Sequence, residues 1–305
     1  MKKVSVVMSI YNEPICWIEQ SISSILSQTY KNIEFIIILD NPDDLNLLDC
    51  VKSLAKRDNR IVVLKNDINV GLGNSLNRGI EYATGEYIAR MDADDISMKD
   101  RIEKEVEYLE ENKLDLVATN IIDMDMGGIL TGKGTSYPSK NGRIKEYLKY
   151  GSCLPHPTWL GKKNVFLKNP YSPLRACQDY ELVARLAQKG YKLGVLPEAL
   201  LQYRLNNNSI SSKKKVFQKT VSFYVRDCYK SKKDISYSNL AAFLNSAQGI
   251  RKRECLEKYY LSVNELKESY RKNRYVDFLI KGINLFLRSK EARDVLKEIL
   301  ITKIL

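Results

Sequence analysis

Three carboxylates in four positions, Asp92, Asp94 and Asp95, follow directly on Tyr87-Ile88-Ala89-Arg90-Met91. Like charges this close raise the local free energy unless a cation relieves them. Hard divalent cations such as Mg²⁺ or Mn²⁺ take oxygen ligands and share one or two carboxylates with substrate phosphates. A turn whose acids cap the next helix is the plainer alternative. A further acid, Asp179, comes after Gln178 at the start of a helix-like segment with Leu182, Val183 and Leu186 on one face. There the helix dipole favours a carboxylate. The single histidine, His156, stands between two prolines with Trp159 nearby. That extended loop is a candidate lining for a sugar pocket, and a packed loop with a hydrogen-bonded histidine is an equal alternative. One histidine leaves little room for Ser-His-Asp, Cys-His or multi-histidine metal chemistry, and no Gly-x-Ser-x-Gly elbow exists. Acid–base work falls mainly to carboxylates.

The elements that must position these groups alternate. Tyr87 to Met91 lacks a helical period and reads as a short strand, with a helix from about Lys99. Val4 to Ile10 reads as a buried strand ending at Tyr11-Asn12-Glu13-Pro14. The apolar positions 15, 18, 22, 25 and 26 then predict an amphipathic helix over 15–28. Ile33 to Leu39 is a second apolar strand, closed by Asp40-Asn41-Pro42-Asp43-Asp44. A helix near 45–57 leads to strand Ile61 to Leu64, and Asn69-Val70-Gly71-Leu72-Gly73 opens another helix through Ala83. Strands alternating with helices predict right-handed βαβ units and a mainly parallel, doubly wound sheet. Tyr11-Asn12-Glu13, Asp40 and the acidic triplet then stand at corresponding strand ends, facing one crevice.

Two phosphate-loop look-alikes fail in context. Gly71-Leu72-Gly73 has Leu76 where a dinucleotide fingerprint needs glycine, and Gly127 to Gly134 ends without Ser or Thr. The second reads as a hairpin after a strand over Leu116 to Met124. A short helix is predicted over Arg143 to Tyr150.

The 305 residues carry a net charge of +12. From Arg204 onward there are 23 Lys/Arg against 10 Asp/Glu, whereas the first 203 residues hold 26 against 27. The basicity belongs to the C-terminal third and points to an anionic surface. Six scattered cysteines show no zinc spacing, and the opening Met1-Lys2-Lys3 and apolar run is interrupted at Tyr11, so reduced thiols and a cytoplasmic location are expected.

On these residues the chain resembles the family 2 glycosyltransferases of the GT-A fold that build bacterial capsule, O-antigen and exopolysaccharide. The resemblance runs in order over about residues 3–212. It rests on Val4-Ser5-Val6-Val7-Met8-Ser9-Ile10-Tyr11-Asn12-Glu13, Asp40, Asn69, Gly71, Asn77, Gly79, Gly85-Glu86-Tyr87-Ile88, Asp92-Ala93-Asp94-Asp95, Gln178-Asp179, Tyr203-Arg204 and Ser209-Ile210-Ser211. The chain departs from the family pattern at Ser9, at Leu39 and Asn41 beside Asp40, and at Leu76.

The resemblance implies a catalytic domain over 1–212 and a basic, tyrosine-rich helical region over 213–305. It implies an inverting, metal-dependent transfer from a nucleotide sugar, with UDP-galactose or UDP-glucose preferred, to a polyprenyl-diphosphate-linked saccharide. Tyr11, Asn12, Glu13, Asp40, Asn69, Gly71, Asn77 and Asp92 would meet the donor, with Asp40 reading the uracil. Asp94 would hold Mn²⁺ or Mg²⁺, Asp179 would be the base, and His156, Trp159 and Gln178 would face the acceptor. An inactive nucleotide-sugar-binding scaffold is the alternative. A nucleic-acid partner is not expected, because the tail carries no recognised binding module, and a homo-oligomer is left open. Basic clusters interleaved with tyrosines, and an apolar face continuing through Ala292, Val295, Leu296, Ile299, Leu300 and Ile304, predict peripheral contact with the inner face of the cell membrane, with packing of that face on the catalytic domain or on a second subunit as the alternative.

Overall fold

The computed structural model describes residues 1–206, 214–272 and 274–295. Ser209-Ile210-Ser211 and the apolar positions from Leu296 on therefore lie outside the described residues. The chain divides into two compact units, one comprising Met1–Lys145 with the segment from Ser152, the other Glu146–Gly151 with the C-terminal residues.

The first unit is built on nine strands: β1 (Val4–Ile10), β2 (Ile33–Leu39), β3 (Ile61–Lys65), β4 (Tyr87–Asp92), β5 (Ile96–Ser97), β6 (Leu116–Met124), β7 (Leu130–Thr135), β8 (Leu160–Lys162) and β9 (Leu193–Arg204). They follow the order β3-β2-β1-β4-β8-β6-β9-β5, with β7 paired to β6. The first four are parallel, as the alternation of strands and helices predicts. All seven residues of β2 are buried, which is why it reads as an unbroken apolar run rather than an alternating one. The second half is mixed: β8 runs antiparallel to β4 and β6, β6 is parallel to β9, and β5 is antiparallel to β9. With two residues in β5 and three in β8, neither is long enough to print a period in the sequence. The predicted hairpin is present as β6–β7.

Helices α1 (Ile15–Leu26), α2 (Leu45–Arg57), α3 (Leu72–Tyr82) and α4 (Arg101–Glu111) connect these strands. α3 lies close on the sheet because Gly79 has no side chain; a Cβ there would stand 2.7 Å from both Val7 and Ile38. Three further helices follow: α5 (Asn141–Tyr147), starting two residues before the predicted one, α6 (Lys163–Lys168) and α7 (Gln178–Gln188). In the second unit, α8 (Lys215–Lys230), α9 (Tyr237–Asn245), α10 (Ala247–Arg271) and α11 (Tyr275–Arg288) form a helical cluster. No helix among the described residues is long and apolar enough to cross a membrane.

One buried charge has a measurable consequence. Glu105 on α4 is fully buried, and neither carboxyl oxygen has a hydrogen-bond partner. Burial pushes its pKa up to about 8 against the opposing pull of Arg101. Below 4.5 the acid is neutral folded and unfolded. Between 4.5 and 8 only the unfolded chain ionises, so stability falls as pH rises through that window. Glu105→Gln is expected to remove this slope and to raise the melting temperature by several degrees at pH 8. Melts of both proteins between pH 4.5 and 8.5 test it; identical slopes would show that Glu105 ionises alike in both states.

Candidate active site

The site forms where the parallel strands end. β1 lies between β2 and β4, so Ile10 stands beside Leu39, and Ser9 beside Asp92. Along β4, residues two apart share a face. Ala89 and Met91 join the apolar core, which leaves Arg90 and Asp92 together on the opposite face. The Arg90 guanidinium is buried and pairs with the Asp92 carboxylate and the Met91 carbonyl. The strand then turns at Ala93, and oxygens of Asp92, Asp94 and Asp95 come within 4.8 Å of one another.

That turn is held from below by the end of β9. The Arg204 amide donates to Asp95 Oδ1 at 2.9 Å, and its Nε donates to the Asp94 carbonyl at 2.7 Å. Its guanidinium also reaches Gln20 Oε1 at 2.9 Å and lies over the Trp17 ring at 4.8 Å. Arg204 thus fixes the backbone of the acidic turn and leaves the Asp94 side chain uncommitted to it.

The carboxylates are under-compensated. Burial, then the charges of Asp92 and Glu13, push Asp94 up to about 7, and Arg204 offsets only part of this. Asp95 is fully buried and held well above the usual carboxylate range by burial and its two acidic neighbours. Its Oδ2 has no hydrogen-bond partner. Glu13 is also raised, by burial and by Asp92, although its Oε2 accepts from the Tyr11 amide at 2.8 Å. A buried carboxylate oxygen without a partner, among acids that disfavour one another's ionisation, is the donor set a hard oxygen-seeking dication fits. Asp92, Asp94 and Asp95 are the residues that would hold it.

Asp179 enters from α7. Cys177, just before the helix, has a left-handed backbone with φ of 66°, which turns the chain sharply into its first turn. The sequence assigns the dipole a stabilising effect on Asp179. The structure contains that effect, as amide hydrogen bonds that lower the pKa, but burial outweighs them and the charge of Asp92 adds to it, so the net shift is upward. A carboxylate raised towards the working pH and partly exposed is suited to accept a proton. Gln178 beside it is buried, with its Oε1 unpartnered.

Other candidates take different places. Tyr11, Asn12 and Asn69 are exposed, the first two just past the end of β1. Asp40 is buried beneath it: Oδ1 accepts from Asn66 Nδ2 and the Val70 amide, and Oδ2 from the Gly71 amide, at 2.7 to 2.9 Å. Those bonds shape the turn into α3, where Gly71 has φ of 82°. Asn77 exchanges two 2.9 Å bonds with the backbone of Tyr171. Trp159 is fully buried, its indole N–H donating to the Leu154 carbonyl at 3.1 Å, so it packs rather than presenting a face to ligand. His156 stands edge-on to Trp159 and bonds the Tyr171 hydroxyl at 2.9 Å. Burial, reinforced by Arg90, holds the imidazole well below its usual pKa, hence neutral at pH 7.

Tyr171, Arg90 and Arg204 are absent from the site residues read from sequence. A charged residue inside an otherwise apolar strand was the available signal for Arg90. Tyr171, in a loop before α7, gave none.

Residues 5–167 match the family described as glycosyl transferase family 2. The chain belongs to that family. It is 37% identical over 235 residues to an uncharacterized glycosyltransferase of Methanocaldococcus jannaschii, spanning 75% of this chain and 80% of that one. It is 32% identical over 232 residues to the Escherichia coli O-antigen biosynthesis glycosyltransferase WbnJ, spanning 75% and 90% respectively. Among solved structures, S. aureus TarS 1-349 in complex with UDP-GlcNAc superposes with a TM-score of 0.60 over 80% of this chain and 72% of that chain. At 17% identity that likeness concerns the fold, which is of the GT-A type with added C-terminal helices.

Proposed function

We propose that this family 2 glycosyltransferase moves a sugar from a UDP-linked donor to a hydroxyl of a lipid-linked saccharide, inverting the anomeric centre, in surface polysaccharide synthesis. The observation that carries the reading is Asp179 at the start of α7, its pKa raised by burial and by the charge of Asp92, together with an acidic turn whose own charges are unmatched. The relative named for O-antigen biosynthesis, and the fold neighbour in complex with UDP-GlcNAc, support it.

In this reading Asp179 orients the acceptor hydroxyl and takes its proton as the oxygen bonds to the anomeric carbon. The bond from that carbon to the donor phosphate breaks on the opposite face, and UDP leaves. A divalent cation held through Asp94 would supply electrostatic stabilisation of the diphosphate charge. Asp92, fixed by Arg90, meets the nucleotide side, and Asp40 sets the Asn69–Gly71 turn against the donor. Gln178 offers its free Oε1 to an acceptor hydroxyl. The acceptor's lipid places the enzyme at the inner membrane face.

UDP-galactose, UDP-glucose and UDP-GlcNAc, each with Mg²⁺ or Mn²⁺, provide the test. UDP release is measured with and without a synthetic polyprenyl-diphosphate-linked saccharide. The expected result is acceptor-dependent release from one donor, a hexose donor preferred, and none after chelation. Donor binding without release on any acceptor would favour an inactive scaffold.

A further inference from the structure

α11 carries apolar side chains on both of its long faces. Phe278 meets Tyr270 of α10, with ring centroids 5.5 Å apart, and Gly282 faces Leu266. That face is the one the helical cluster uses. On the opposite side Val276, Leu279, Ile280, Ile283, Phe286 and Leu287 follow one another at helical spacing, 44 to 72% exposed. At 100° per residue these six fall within an arc of about 120°. Single exposed apolar residues are ordinary, whereas a contiguous row of this size marks a surface that meets something.

Charge says what it meets. Arg271, Lys272 and Arg274 are exposed before the helix, and Lys290 and Arg293 just after it. Arg293 Nη1 donates to the carbonyls of Phe286 and Leu287 at 2.9 and 2.8 Å, which brings a cation to the edge of the apolar row itself. On the helix, the single acid, Asp277, pairs with Lys281 at 3.1 Å and accepts from Ser269 of α10 at 2.7 Å, on the side that faces α10. Two copies meeting through this face would bring like surpluses of charge together. An anionic bilayer accepts the apolar row among its acyl chains and the flanking cations among its headgroups.

We infer that the outward face of α11 docks on an anionic lipid bilayer, lying in its plane. The inference deepens the lipid-linked acceptor reading and rests on it for its purpose, but its physical basis is independent of transfer. A helix so placed would keep the enzyme at the surface where a lipid-anchored acceptor resides.

The test uses the full chain with vesicles of equal parts phosphatidylglycerol and phosphatidylcholine, compared with phosphatidylcholine alone. Wild type is expected to co-sediment with the anionic vesicles at low salt and to be released as ionic strength rises. The exposed pair Leu279→Glu and Ile283→Glu is expected to cut the partition coefficient at least about tenfold with unchanged melting. Sedimentation velocity without lipid runs alongside. Variant binding equal to wild type would overturn the proposal, since charge alone would then suffice. A wild-type dimer that ignores vesicles and becomes monomeric in the variant would make the face a contact between copies. A monomer that ignores vesicles would mean the chain's own residues cover it; either result overturns the docking. UDP release with a soluble acceptor, measured on wild type, separates the readings: transfer without vesicle binding sinks only the docking, and vesicle binding without transfer sinks only the transferase.

Discussion

Asp179→Asn is expected to bind donor with near wild-type affinity and to transfer the sugar roughly 10²–10⁴-fold more slowly, the range for a lost general base. The amide keeps the size of the side chain and can still accept from the amides at the start of α7, so the fold around it is preserved. What it loses is the capacity to take a proton. Two candidate replacements are otherwise engaged. Glu181, the next acid on the helix, is fully buried and committed to Arg185 at 2.8 Å. His156 is bonded to Tyr171 and its protonated form is disfavoured. The pH profile gives a second readout. Burial raises Asp179 above the usual aspartate range, so the rising limb of the wild-type rate lies above that range, and the variant loses the limb. UDP binding by calorimetry and single-turnover transfer across pH check both. A fall of less than tenfold would leave Asp179 as a helix-capping acid.

The parts of this molecule that could be read from its sequence are those where one physical signal dominates. β1, β2 and β4 are short, mostly apolar runs without a helical period, and their ends are marked by polar turns, so the parallel half of the sheet and the polar clusters at its carboxyl edge are visible in the sequence. The acidic turn was visible because clustered carboxylates need a reason. What stayed hidden depends on partners distant in the chain. Asp40 reads as a ligand contact, yet its carboxylate is occupied by Asn66, Val70 and Gly71, 26 to 31 positions away. The loop of His156 and Trp159 reads equally as a sugar-pocket lining or a packed loop, and the structure encloses Trp159 in the core. Arg204 supports the acidic turn across 110 positions, a link that only the antiparallel β5–β9 pairing creates. The short strands β5 and β8 that build this half carry too few residues to announce themselves.

Asp94→Ala is expected to abolish transfer and to remove the dependence of UDP binding on divalent cation, while leaving the fold intact. The fold should survive because Arg204 grips the Asp94 carbonyl rather than its carboxylate, and alanine keeps that carbonyl in place. The side chain itself is a source of strain in the metal-free protein. With its pKa raised from 3.8 to about 7, it stays protonated in the folded chain where the unfolded chain has ionised. Metal-free stability therefore falls as pH rises from 3.8 to 7. A bound cation favours the ionised carboxylate, so added Mg²⁺ or Mn²⁺ should raise the melting temperature at pH 8 by several degrees and much less at pH 5. Asp94→Ala should lose both the metal response and the part of the pH slope that Asp94 supplies. Asp95 is placed to compensate, because its Oδ2 is buried and unpartnered. Its Oδ1 is already tied to the Arg204 amide, which limits how far it can swing. Asp95→Asn in parallel decides between them: a metal response kept in Asp95→Asn and lost in Asp94→Ala assigns the cation to Asp94, and the reverse moves the site by one residue. Normal turnover and a normal metal response in Asp94→Ala would remove this carboxylate from the cation site altogether.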